Sequence, residues 1–320
     1  MRICVLGKRG SMIGWVDGTV AGWRAAGHTV QHSIFRDTRL APRLEEALFS
    51  PRLGAPRARL LARRVRQFAP DLLVAVDAFS TPLSLLACLR ATPGLPPLLG
   101  WVGDLFGDYA RERAPYFAAI GYTDTGLAAL HARMGLGCEA FYLPHAARAM
   151  PAGEAGPERP RRPEMVFVAA PTQARAATLT ALREPVVLHG AGWHDFPAGV
   201  HEVHPRRVPL SGLAPIYRAH LAVLNMRNET HVLAGLNQRN FDPFLCGAVV
   251  ATDPQPDLEH CFDPGSEVLV WHDPAGIDDI SARLRRDPAW AREISGRGRR
   301  RVLAEHTYEA RLAAFARLGK

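Results

Sequence analysis

Short apolar runs alternate with stretches of helical spacing from the first residues of the chain. Residues 2–6 (Arg2-Ile3-Cys4-Val5-Leu6) form the first run, 7–11 read as a loop, and 15–26 carry helical spacing closed by Gly27. Further buried runs fall at 28–33, 72–76 and 97–102, with helical segments around 56–68 and 82–90 between them. Residues 117–121 and 139–143 read as the last strands of this half. Strand runs without polar alternation are buried on both faces, so their alternation with helices predicts a parallel, doubly wound sheet.

The periodicity stops between 148 and 164, where Pro151, Gly153, Gly156, Pro157, Pro160 and Pro163 accumulate and no core can form. A second strand-and-helix series begins at 165–170 and continues through 186–190, 220–224, 248–252 and 267–271. Helical spacing at 274–285 and 288–304 precedes a short last helix at 308–318, with Leu312, Phe315 and Leu318 on one side. The predicted fold class is α/β, with two doubly wound parallel-sheet domains of Rossmann-like type facing across a cleft. The expected boundaries are 1–150, a linker at 151–164, a second domain at 165–305 and a C-terminal helical segment at 306–320.

At 320 residues, 48% apolar and 22% charged, the chain is long enough to bury two cores. No apolar run approaches the roughly 18 residues of a membrane span, and the run at 2–6 is too short for a signal-peptide core. The expected location is the cytoplasm. Cys4, Cys88, Cys138, Cys246 and Cys261 form no CxxC pair and read as reduced thiols in apolar surroundings. The net charge of +8 would suit an anionic partner, yet of 39 basic residues only Lys8 and Lys320 are lysines, leaving 37 arginines. Arginine is thus the default surface cation, and no zinc-finger or RNP-like motif accompanies it, so nucleic acid is not an expected partner. Arginine clusters at 57–66 and 297–301 leave peripheral contact with anionic surfaces open.

Ligands of open α/β sheets bind beyond the carboxyl ends of the strands, where loops and helix N-termini present N–H groups. Gly7-Lys8-Arg9-Gly10-Ser11 follows the first strand, and its glycines and charges suit an anion, with Gly10 and Ser11 as contacts. Its spacing is neither GxGxxG nor a P-loop. Asp17 lies on the next helix, and Gly100-Trp101-Val102-Gly103-Asp104 puts Asp104 just past another strand. A carboxylate so placed can take the proton of a reacting hydroxyl. In the second half, Leu236-Asn237-Gln238-Arg239-Asn240-Phe241-Asp242-Pro243-Phe244-Leu245-Cys246-Gly247 is a charged entrance to a small apolar helix. That helix stops at Gly247 and runs into the strand at 248–252.

Together with 256–271 and Glu305-His306-Thr307-Tyr308-Glu309-Ala310-Arg311, this segment resembles the C-terminal domain of the CgeB-type, spore-maturation glycosyltransferases. The resemblance is strong over 165–311 and weak before it. It implies a GT-B fold, a nucleoside-diphosphate sugar donor and a last helix that crosses back onto the first domain. It also implies donor contacts from Arg175, from the Gly190-Ala191-Gly192-Trp193 loop, from Arg227, and from Asn237, Arg239 and Asp242. Arginine suits a diphosphate because its planar fork binds phosphate oxygens in pairs and stays charged. Glycine lets backbone approach a base or ribose closely, with Trp193 either a stacking platform or a packing residue. Asp242 stands where the family usually has Glu, which in retaining relatives binds ribose hydroxyls; a first-turn Asp also suits its own helix. Ala234 stands where many retaining relatives carry a second acid, so stereochemistry is not transferred. In the first domain the resemblance points to Asp104 and to His145 of Leu143-Pro144-His145-Ala146 on the catalytic side.

No DxD motif occurs, and His201-Glu202-Val203-His204 lacks HExxH spacing, so neither a metal nor a separate cofactor is expected. The expected function is metal-independent transfer of a sugar from a nucleoside-diphosphate sugar donor to an unknown acceptor, a glycan, protein or small molecule. The alternatives are a non-catalytic nucleotide- or glycan-binding relative and a GT-B-shaped nucleotide-sugar epimerase.

Overall fold

The structure is a computed structural model that describes residues 1–9, 14–37, 51–148, 160–228 and 231–318, with side chains from residue 54 in the third stretch. Gly10, Ser11 and most of the expected linker lie outside these residues. The chain forms two compact units: Met1–Arg148 with Glu229–Gly235 and Thr307–Lys320, and Ala149–Asn228 with Leu236–His306. Among the described residues no helix is long and apolar enough to cross a membrane.

Unit 1 is a six-stranded parallel sheet of order β2-β1-β3-β4-β5-β6. Its strands are β1 (Arg2–Arg9), β2 (Thr29–Asp37), β3 (Leu72–Val76), β4 (Leu98–Val102), β5 (Ala119–Tyr122) and β6 (Glu139–Tyr142). Helices α1 (Trp15–Ala25), α2 (Pro51–Phe68), α3 (Leu83–Arg90), α4 (Tyr109–Arg113) and α5 (Thr125–Met134) connect them. The loop expected at 7–11 starts later, because Gly7, Lys8 and Arg9 still pair with Ile34, Arg36 and Asp37. A register shift between Gly7 and Lys8 marks the change. Gly7 is required there, since an added Cβ would lie 2.5 Å from Val16 Cγ1.

One face of this sheet buries Trp15, Trp23 and Trp101 together with Tyr308 and Phe315 of the C-terminal helix, Tyr308–Leu318. Trp23 Nε1 donates to the Tyr308 carbonyl at 2.8 Å, and Arg311 donates to the carbonyls of Pro144 and His145 at 2.7 and 2.9 Å. The C-terminal helix therefore belongs to unit 1. So does the segment before Leu236: buried Asp124 accepts from Leu127 N at the start of α5, and from Leu233 N (2.7 Å) and Ala234 N (2.9 Å). One carboxylate thus caps a helix and fastens a chain excursion that the sequence pattern does not reveal.

Unit 2 repeats the architecture with order β12-β11-β10-β7-β8-β9. Its strands are β7 (Met165–Val168), β8 (Val186–His189), β9 (Glu202–His204), β10 (Ala222–Asn225), β11 (Val249–Thr252) and β12 (Leu269–Val270). Its helices are α6 (Gln173–Thr180), α7 (Leu210–Ala219), α8 (Asp242–Leu245), α9 (Pro274–Arg286) and α10 (Pro288–Glu305). β9 was not expected: an edge strand of three residues, Glu-Val-His, has no apolar run to announce it. Within the stretch expected as linker, Arg162 exchanges backbone hydrogen bonds with Ala219 and Leu221, so residues near 162 lie against unit 2. The strand sequence runs outward from β7 and then reverses at β10, so a crevice forms between the carboxyl ends of these two neighbours.

Candidate active site

Asn225, the last residue of β10, is fully buried at that crevice and organises it. Its Oδ1 accepts from Asn237 Nδ2 (3.1 Å) and Arg239 Nε (3.0 Å), while its Nδ2 donates to Asn240 Oδ1 and Thr252 Oγ1, each at 3.0 Å. Asn237 Oδ1 also accepts from Arg239 N at 2.9 Å, which caps the turn at Gln238–Asn240. Arg239 is therefore fixed at both its backbone and its Nε, and its Nη2 lies 3.4 Å from the Met226 carbonyl. Arg175 reaches the same carbonyl with Nη2 (2.8 Å) and the Ala170 carbonyl with Nη1 (3.0 Å). Two guanidinium groups meet at one oxygen. Loss of hydration, and then the charge of Arg239, bring Arg175 down to about 10. An anion placed beside them would relieve that repulsion. Arg227 adds a third cation: its N–H donates to Asp253 Oδ1 at 3.1 Å, and its Nε lies 3.6 Å from Asp253 Oδ2.

Four of the residues expected to touch a donor make contacts within the chain that shape the loop after β7. Trp193 is 1% exposed and donates Nε1–H to the Ala169 carbonyl at 2.6 Å, with its ring edge-on to Phe167. It is a packing residue. A Cβ on Gly190 would strike the Ala169 carbonyl oxygen, and one on Gly192 would come within 3.0 Å of Pro171. The close approach these glycines allow is thus that of the chain's own backbone. Arg175, buried, spends its two Nη groups bridging Ala170 and Met226. Asp242 is 0% exposed and flanked by the buried Phe241, Pro243 and Phe244.

Unit 1 holds a second arrangement, a recess of about 420 Å³ lined by residues at the ends of β1, β2 and β4 and in the segments after β3 and β4. Lys8 Nζ pairs with Asp77 Oδ2 at 2.8 Å across it. Asp77 follows β3 in the left-handed region (φ 57°), held there by Ser80, whose N–H and hydroxyl both donate to the Asp77 carbonyl. Asp104 lies in the same recess, with His231 Nδ1 3.6 Å away. Loss of hydration first, and the Asp77 carboxylate second, push Asp104 above its usual range, although its side chain is still 63% open to solvent. His231 and Lys8 oppose this rise. Tyr109 completes the recess, with Arg113 over its ring.

His145 and Asp17 do not line this recess. His145 is buried edge-on against Trp15, and desolvation, with Arg311 and Arg148 nearby, brings it down to about 3. It is buried as a neutral group outside the recess that holds Asp104. Asp17 on α1 is half-exposed and 3.9 Å from His32 Nδ1. The sequence reading passes over Asp77, although an acid directly after the buried run 72–76 is the same signal that marks Asp104. Asn225, Thr252 and Asp253 were also missed, because small polar residues at strand ends read as ordinary punctuation. Among the described residues, no group of three or more His, Cys, Asp or Glu side chains could hold a metal ion.

Nearly the whole chain aligns with solved glycosyltransferase-fold structures. A sucrose-phosphate synthase from Thermosynechococcus elongatus aligns with a TM-score of 0.65 at 13% identity, over 99% of this chain and 98% of that one. The fold is GT-B. A glycosyltransferase from Rickettsia africae has the same fold with a TM-score of 0.67 at 9% identity, over 100% of this chain and 98% of that one. Anabaena HepE, solved in complex with UDP-glucose, aligns at 0.62 with 12% identity, over 99% and 98% of the two chains. At these identities the likeness is one of GT-B fold alone. Residues 170–317 of this GT-B chain, most of unit 2 with the C-terminal helix, match the family model described as glycosyl transferase-like. No curated protein matches the chain.

Proposed function

We propose that this protein is a glycosyltransferase that moves a sugar from a nucleoside diphosphate to an acceptor hydroxyl without a metal ion, and that it is of the CgeB type. The observation that carries this is the meeting of Arg175 and Arg239 at the Met226 carbonyl, at the switch point where α/β sheets bind ligands. A diphosphate there offsets the like charges, and Arg239, Arg227 and Asn237 are the residues presented to it. A GT-B neighbour solved with UDP-glucose supports the choice of donor. In the reaction the acceptor oxygen bonds to the anomeric carbon as the bond from that carbon to the diphosphate breaks. The acceptor proton passes to the Asp104 carboxylate, made more basic by burial and by Asp77. Arginines in place of a metal stabilise the charge that develops on the leaving diphosphate.

Calorimetric titration with UDP, beside a panel of other nucleoside diphosphates, tests this reading. Binding of at least one, equal in chelator and in Mg²⁺, is expected, with donor hydrolysis or transfer that survives chelation. A requirement for Mg²⁺ or Mn²⁺ would remove the arginine scheme. Binding with no turnover of any sugar donor would favour a non-catalytic binder, and release of a free 2-epimer would favour an epimerase.

A further inference from the structure

We propose that the unit 1 recess is an acceptor subsite for an uncharged, hydroxyl-rich sugar ring, so that the acceptor is a glycoside rather than an anionic or apolar molecule. The proposal rests on the glycosyltransferase reading above and adds the class of acceptor. A sugar hydroxyl both donates and accepts, so it needs donors and acceptors side by side. The recess supplies them: the Asp77 and Asp104 carboxylates accept, Lys8 donates, the Tyr109 hydroxyl does either, and the Ser80 hydroxyl, its proton given to the Asp77 carbonyl, accepts. Phe79, Phe106 and Val102 contribute apolar lining, and Tyr109, 48% exposed, offers a ring face to the C–H side of a pyranose. A volume of about 420 Å³ is in the range of small-molecule sites.

The charges argue against the other classes. Each cation of the recess already has a partner: Lys8 is with Asp77, Arg113 Nη1 donates to the Tyr109 carbonyl (2.9 Å) with its guanidinium over that ring while its buried Nε stays unpaired, and Arg36 has a partner of its own. Nothing here resembles the paired guanidinium groups of unit 2, and a phosphate or carboxylate would face two aspartates. An apolar acceptor would strip water from both acids and return no hydrogen bond, which disfavours it. Asp77 is also held in a left-handed conformation that is unfavourable for a non-glycine residue, and strain of this kind is characteristically kept where a side chain must be aimed. In the transfer step Asp77 and Lys8 orient hydroxyls beside the reacting one, whose proton goes to Asp104.

Saturation-transfer NMR of the full chain with the methyl glycosides of glucose, galactose and mannose tests this, with glucose 6-phosphate as the charged comparison. At least one glycoside should bind, and glucose 6-phosphate should bind more weakly. Asp77→Asn keeps a residue that tolerates the left-handed backbone, so the protein folds, and should weaken glycoside binding about tenfold by loss of charge-assisted bonds. Tyr109→Ala, at an exposed position, should weaken it as well. With the active acceptor, Asp77→Asn should raise KM more than it lowers kcat, whereas a merely structural change would not select the acceptor KM. No glycoside signal from a protein that binds UDP normally, tighter binding of glucose 6-phosphate, or unchanged affinity in both variants would overturn the proposal. Absence of nucleoside-diphosphate binding in the unaltered protein would instead sink the glycosyltransferase reading.

Discussion

Arg175 and Arg239 carry the same charge to the same carbonyl, yet the structure employs them differently. Arg175 is buried and ties two backbone segments together, whereas Arg239 is partly exposed and positioned by Asn225 and Asn237. Their alanine variants should therefore fail in different ways. Arg239→Ala should weaken UDP binding by about 1.5–3 kcal/mol with little change in melting temperature. Arg239→Lys should recover only part of this, because the planar fork is lost. Arg175→Ala should lower the melting temperature, since it leaves the Ala170 carbonyl without its donor and the Met226 carbonyl with only the longer contact from Arg239. Calorimetry beside thermal melts separates the two, and unchanged UDP affinity in folded Arg239→Ala would make Arg239 structural too.

At the scale of elements, the seat of the C-terminal helix on α1 is set by glycines. A Cβ on Gly22 would lie 2.6 Å from Tyr308 Cβ, so the two backbones pack with no room for a methyl group. In an exposed helix Gly→Ala gains about 1 kcal/mol. Gly22→Ala should do the opposite here and destabilise the protein by about 1–3 kcal/mol, the usual range for overpacking. A Cβ on Gly18 would lie 2.7 Å from the Tyr308 hydroxyl, the far end of a side chain that can turn, so Gly18→Ala should cost less than Gly22→Ala. Urea midpoints of the two variants check this order, and a stabilised Gly22→Ala would show that the helix does not seat this closely.

For the whole molecule, burial of neutral histidine gives stability a pH dependence. His145 is held at about 3 in the folded chain, against about 6.5 for an unperturbed histidine. As pH falls below about 6.5 the unfolded chain takes up this proton and the folded chain does not, so stability declines toward the folded value. The slope is about 1.4 kcal/mol per pH unit. His145→Phe should therefore shrink the loss of stability between pH 7 and pH 5 by about 2 kcal/mol in urea titrations, and an unchanged loss would mean that His145 can be protonated in place. The pattern of apolar runs carried enough to predict both parallel sheets, because strands buried on two faces must be continuously hydrophobic, and residues such as 72–76 and 248–251 are. Arg227 and Asp104 could be put forward for the same reason, as charges just past such runs, whereas Arg239, between β10 and α8, was put forward through the family resemblance. Edge strand β9, the tie from Asp124 to Leu233 and Ala234, and the recess joining Lys8, Asp77 and Asp104 were not, because each depends on which residues distant in sequence become neighbours. Gly190, Gly192, Trp193 and Asp242 show the same limit from the other side. Their residue types allow contact with a ligand or with the chain itself, and only the packing of Ala169, Pro171 and Phe241 around them decides which.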